Sequence, residues 1–191
     1  AVFLLTYEPW LADAKHNLYS LYRSAYGIDY SAMQRPKAKI VLFPGCALGT
    51  FHPTLTKALY NNLSACEFEF GMLLDCCYKP LHDLGLQERF DKALVTLRRS
   101  LDDMGVEEII TACPSCQEFL GRSFKDRKVI SCYELIAPTG QENERKLTIH
   151  DSCSDRLEGR IGAQVRSLLS KTRSIVEMEH NRLNTICCGS G

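Results

Sequence analysis

The cysteines of this chain limit the folds open to it more than any other feature. Six of the ten fall into two copies of one pattern. Cys46 is followed after 29 intervening residues by the adjacent pair Cys76-Cys77, and Cys153 after 33 by the pair Cys187-Cys188. The first copy runs on for 35 more residues to Cys113-Pro-Ser-Cys116, and the second stops at Cys188-Gly-Ser-Gly191. A duplicated single-then-pair arrangement closing on a C-x-x-C is what a soft polynuclear metal centre requires. Such a centre needs a fold that carries thiols tens of residues apart to one place.

The residues between the cysteines predict that fold. Lys39-Ile-Val-Leu-Phe43 is a short apolar run closed by Pro44-Gly45, a buried strand delivering Cys46 to the next loop. Thr54 to Ser64 reads as a helix with Leu55, Ala58, Leu59 and Leu63 on one face. Glu67 to Leu74 reads as a second strand, ending at Cys76-Cys77. Leu86 to Met104 carries Phe90, Ala93, Leu94, Leu97 and Leu101 on one stripe and Gly105 as its stop, which is a core-facing helix. Val106 to Ala112 is a third strand and ends at Cys113. Strands alternating with helices imply right-handed βαβ units and a parallel sheet. All strand C-termini then share one edge, where open α/β folds place their ligands. The second half repeats the scheme, with strands over Lys146–His150 and Ser174–Met178 around a helix at Arg160–Thr172. The predicted fold class is therefore α/β, two Rossmann-like βαβ halves with parallel sheets related by internal duplication, the second half truncated. The predicted divisions are a lead-in and linker over residues 1–38, a first repeat over 39–140 and an incomplete second repeat over 141–191. Pro9 to Tyr30 has helical apolar spacing, with Gly27 as a stop, and Met33 to Lys39 reads as a linker. The Ala1 start and the end just after a double cysteine predict a fragment of a longer protein.

Composition narrows the setting. Lys plus Arg equals Asp plus Glu at 23 each with no charged block, so neither nucleic acid nor an anionic membrane is indicated as a partner. The apolar run Ala1 to Leu5 is too short to span a bilayer and has no basic segment before it, so no membrane segment is expected. A disulfide framework suits small secreted chains short of core, whereas this one is 45% apolar, and adjacent cysteines pair poorly with each other. Metal binding in a reducing, cytoplasmic compartment is the expectation that follows.

These motifs resemble the cysteine-rich or CCG-domain family, which includes the cysteine-rich subunit of heterodisulfide reductase, the iron-sulfur subunits of glycolate oxidase and anaerobic glycerol-3-phosphate dehydrogenase, and lactate-utilisation proteins. The residues that carry the resemblance are Phe43-Pro-Gly-Cys46, Cys76-Cys77-Tyr-Lys-Pro80 and Thr111-Ala-Cys113-Pro-Ser-Cys116, then His150-Asp-Ser-Cys153 and Cys187-Cys188-Gly189. The resemblance implies that Cys46, Cys76, Cys77, Cys113 and Cys116 ligate one iron-sulfur cluster of four-iron (4Fe-4S) type, with Cys153, Cys187 and Cys188 a second, incomplete set. It further implies an electron-transfer module of an oxidoreductase, served by a redox partner subunit or an upstream ferredoxin-like domain. The chain departs from the family pattern in two places: Tyr78 stands where the family usually has Gly, and the second copy lacks its C-x-x-C.

Two other chemistries use the same thiols. Cys113, Cys116 and two of Cys46, Cys76 and Cys77 could form a tetrahedral zinc site of a structural or interaction module, although an adjacent pair is unusual there. Alternatively, Cys113 and Cys116 could be the redox pair of a metal-free thiol-disulfide oxidoreductase. Cys66 and Cys132 lie outside the pattern and read as buried apolar residues. His150 and Asp151 read as structural hydrogen-bonding residues before a proton relay, His52-Pro53 as a helix start, and Gly45, Gly49 and Gly189 as loop glycines with no phosphate-binding motif.

Overall fold

The computed structural model describes residues 27–138 and 146–189. Four strands form a parallel sheet in the order β2-β1-β3-β4: β1 (Ile40–Phe43), β2 (Gly71–Met72), β3 (Glu108–Thr111) and β4 (Lys128–Ser131). Register is set by the pairs Val41 with Gly71, Val41 with Ile109 and Ile109 with Val129. Both faces of this sheet are covered, which is why its central strands are continuous apolar runs rather than alternating ones. Val41, Phe43 and Ile109 face one core with Phe90, Ala93, Leu97 and Leu101 of α4 (Gln87–Met104) and Leu120 of α5 (Pro114–Ser123). Leu42 and Ile110 face the other, with Ile28, Tyr30, Phe70, Met72 and Leu63 of α2 (Pro53–Leu63).

The strands and helices predicted from Lys39 onward are present, with shorter strands at several places. Of Glu67–Leu74 only Gly71 and Met72 pair in the sheet, though Phe70 and Leu74 are buried beside them. The α4 stripe is buried as read, and Gly105 ends the helix in the left-handed region at φ 74°, so that the Val106 N–H reaches the Leu101 carbonyl at 2.9 Å. Three α-helices and one strand were not read from the sequence: α1 (Cys46–Phe51), α3 (Lys79–Asp83), α5 and β4. The expected linker is tied to the domain, since Arg35 Nε donates to the Phe70 carbonyl at 3.2 Å and the Ala38 N–H to the Met104 carbonyl at 2.9 Å. Of the expected lead-in helix, Gly27–Tyr30 are non-helical and the rest lies outside the described residues.

In the second half, β5 (Lys146–Leu147) pairs in parallel with β6 (Ser174–Ile175), and α6 (Arg160–Leu169) connects them. This repeats the β1–helix–β2 unit of the first half. Asp151, 6% exposed, holds the unit together. Its carboxylate accepts from Arg166 Nη1 and Nη2 at 2.6 and 2.8 Å and from the Arg182 N–H at 2.7 Å. Its carbonyl accepts from Thr185 Oγ1 at 2.9 Å. One residue thus joins the turn before Cys153 to α6 and to the segment leading to Cys187. Among the described residues, no helix is long and apolar enough to cross a membrane.

Candidate metal centre

In the strand order β2-β1-β3-β4 the chain reverses direction of winding between β1 and β3, and ligands of such sheets bind outside the strand ends at that point. Cys46 stands three residues after β1 as the first residue of α1, and Cys113 two residues after β3 as the residue capping α5. Cys76 and Cys77 follow β2, and Cys116 lies in the first turn of α5 with Pro114 ahead of it. The structure brings these five thiols together. Cys76 lies beside Cys46 and Cys77, Cys77 beside Cys116, and Cys116 beside Cys113.

The backbone before Cys46 is shaped for this approach. Gly45 has φ 81°, and a Cβ there would lie 3.2 Å from Cys113 Cβ and 3.2 Å from Cys116 Sγ. Only glycine fits both that dihedral and that space. Read from the sequence as an ordinary loop glycine, it is part of the site. Its signal was its place directly before the first cysteine.

Cys76, Cys77 and Cys116 are buried, and Cys46 and Cys113 half-buried. Cys113 is lowered to about 7 by the hydrogen bond from Cys116 and, against burial, by the Cys116 and Ser115 amides at the start of α5. Cys77 is held well below the ordinary thiol range by hydrogen bonds from Cys116 and Cys76. Cys76 is raised by the neighbouring Cys46 and Cys77 thiols and by burial, and Cys116 by the neighbouring Cys113 and Cys77 thiols and by burial. The donor set is all sulfur and pre-gathered, which suits a thiophilic polynuclear group. Among the described residues no group of three or more His, Cys, Asp or Glu side chains is arranged to hold a single metal ion.

Tyr78, the departure from Gly, adopts the glycine conformation nonetheless. Its φ is 59° and ψ 15°, left-handed, at a cost on the order of 1 kcal/mol for a residue with a Cβ. Its N–H donates to Cys76 Sγ at 3.3 Å. Gly189, after the second pair, has φ 75° and donates its N–H to Cys187 Sγ at 3.4 Å. The same Cys-Cys-X turn is therefore built twice, once with tyrosine and once with glycine.

The second set differs in setting. Cys153, Cys187 and Cys188 are all exposed. The Cys153 turn nevertheless rests on α5, where Ser154 Oγ and Ser115 Oγ lie 2.8 Å apart, Ser115 being between Cys113 and Cys116. Cys132 and Cys66 stay away from both sets. Cys132 is buried in the second core, and burial pushes its thiol up to about 12; Cys66 Sγ lies 3.9 Å from the Leu135 carbonyl. His150 is exposed, and Asp151 makes the structural bonds described above. His52 immediately precedes α2, with Pro53 at its first position. All ten cysteines carry free thiols.

The resemblance read from the sequence is borne out: residues 40–121 match the family model of the cysteine-rich (CCG) domain. Over 174 residues it is 25% identical to a protein of Methanocaldococcus jannaschii described as an uncharacterized iron-sulfur protein, an alignment covering 85% of this chain. The chain spans about a third of that relative, 34% of its length. No solved structure matches.

Proposed function

We propose that the first repeat holds an iron-sulfur cluster, of 4Fe-4S type, on Cys46, Cys76, Cys77, Cys113 and Cys116, and that the chain is the electron-transfer module of an oxidoreductase related to heterodisulfide reductase. The observation that carries this reading is the convergence of those five thiols at the β1/β3 switch point. The iron-sulfur description of the M. jannaschii relative supports it. When bound, the cluster would supply one-electron chemistry. The chain's residues would bind it by thiolate, exclude water through the burial of Cys76, Cys77 and Cys116, and offer amide donors from Tyr78 and the start of α5. Electrons would come from or go to a redox partner subunit or a ferredoxin-like domain. Residues 39–140 and 141–191 act as the two repeats, the second contributing Cys153, Cys187 and Cys188, and free thiols suit a cytoplasmic setting.

A second reading has one observation in its favour. Cys113, lowered to about 7 beside Cys116, is a competent attacking thiolate for thiol-disulfide exchange. Metal and sulfide analysis of protein purified without oxygen separates the readings. Iron with acid-labile sulfide is the expected result. Zinc alone would replace the cluster with a structural site, and absence of both metals would leave the thiol-disulfide reading.

A further inference from the structure

Tyr78 is one of two non-glycine residues with positive φ among the described residues, and the other is Arg182. A turn that glycine makes without strain after Cys187-Cys188 is made here by a tyrosine buried to 2% exposure. A residue held in a disfavoured dihedral persists where its side chain is needed, so the question is what the phenol does. Tyr78 Oη donates to Asp75 Oδ1 at 2.8 Å, and the same Oδ1 accepts the Cys76 N–H at 2.7 Å. The Tyr78 N–H meanwhile donates to Cys76 Sγ. Asp75 and Tyr78 therefore close a ring of hydrogen bonds around the Cys76-Cys77 turn, one holding the amide of Cys76 and one its sulfur. The Gly189 turn has only the amide-to-sulfur bond of this pair, and its cysteines are exposed.

We infer that Tyr78, acting with Asp75, is a positioning residue that locks the Cys76-Cys77 pair for its ligand and shields it, a function that the glycine turn of the second repeat does not perform. The proposal rests on the cluster reading above for the identity of the ligand, but the lock itself is a property of the chain. Removing only the phenol oxygen by Tyr78→Phe keeps ring and packing yet opens the clasp. Tyr78→Gly relieves the left-handed strain and removes the clasp together with the ring. If the tyrosine were only filling core, Phe would serve as well as Tyr.

Two measurements test this. In reduced, metal-free protein, the alkylation rates of Cys76 and Cys77 by iodoacetamide are followed by peptide mass spectrometry, with buried Cys132 as the internal reference. In anaerobically purified holoprotein, iron release to a ferrous chelator is timed. Tyr78→Phe and Asp75→Ala should each raise alkylation of the pair relative to Cys132 about tenfold and shorten the iron-release half-time by a similar factor. Tyr78→Gly should do at least as much. Tyr78→Phe matching the parent in both measurements overturns the proposal, as does a rise at Cys132 equal to that at the pair, which would mean general loosening of the core. A tenfold alkylation change in a parent protein that binds no iron would uphold the lock and sink the cluster reading instead.

Discussion

Replacing Asp151 by asparagine tests whether the second repeat is held by one carboxylate. Asp151 is 6% exposed and takes both Nη groups of Arg166 as well as the Arg182 amide. The hydrogen bonds from Arg166, opposed by burial, lower its pKa from 3.8 to about 2. At about 1.4 kcal/mol per pKa unit, that drop corresponds to roughly 2 kcal/mol of preference for the charged form in the folded state. A cleft lined by Asp151, Arg166 and Arg182 admits solvent that screens the pair, which trims the expected contribution to about 1–2 kcal/mol. Arg166 keeps its bonds to Glu177 at 2.7 and 2.8 Å in the variant, so Asp151→Asn does not leave a bare buried cation and avoids the larger penalty of about 3–5 kcal/mol. Because the folded pKa is depressed, the contribution is complete above the unfolded value near 4 and disappears as pH falls toward 2. Urea unfolding of the reduced protein, followed by circular dichroism at pH 7 and pH 3, should show the variant less stable by about 1–2 kcal/mol at pH 7, with the gap narrowing at pH 3. A gap below about 0.5 kcal/mol at pH 7, or one that widens in acid, would refute the assignment of Asp151 as the strut of the repeat.

Two further outcomes follow from the site. Cys113→Ser should remove most of the iron bound by anaerobically purified protein while Cys66→Ser leaves it nearly unchanged, as read by colorimetric iron analysis; equal losses would show that the ligands are misassigned. Gly45→Ala places a Cβ against Cys113 and Cys116 at a φ that alanine disfavours, so it should cost about 1–3 kcal/mol in urea unfolding and depress iron content in step.

Much of the sheet was legible because its signals were strong and local. Ile40–Phe43 and Glu108–Thr111 are buried apolar runs closed by turn residues, and α4 has an apolar stripe and a glycine stop. The convergence of the first five cysteines followed from one topological rule. β4 and α5 escaped for physical reasons. Lys128-Val-Ile-Ser131 is a half-buried edge strand with one fully buried residue, and α5 buries only Cys116 and Leu120, too little for a periodic signal. β4 also delivers a cysteine, Cys132, but from the sheet edge into the second core and away from the switch point. Tyr78 was visible as a departure, whereas its left-handed backbone and its bond to Asp75 are tertiary facts that no spacing encodes. The same holds for Asp151, whose partners Arg166 and Arg182 lie 15 and 31 residues away.

The Cys153 turn meets α5 at a pair of hydroxyls, while Gln164 Nε2 donates to Glu134 Oε1 at 2.8 Å. Ser115 and Ser154 face each other at 2.8 Å, and either can donate. A bond between neutral groups has no charge for salt to screen and no proton to lose in the working pH range, in contrast to the Arg166 clasp. Acid that protonates Asp151 and weakens its hold on Arg166 would therefore leave the bond between the Cys153 turn and the helix carrying Cys113 and Cys116 unchanged.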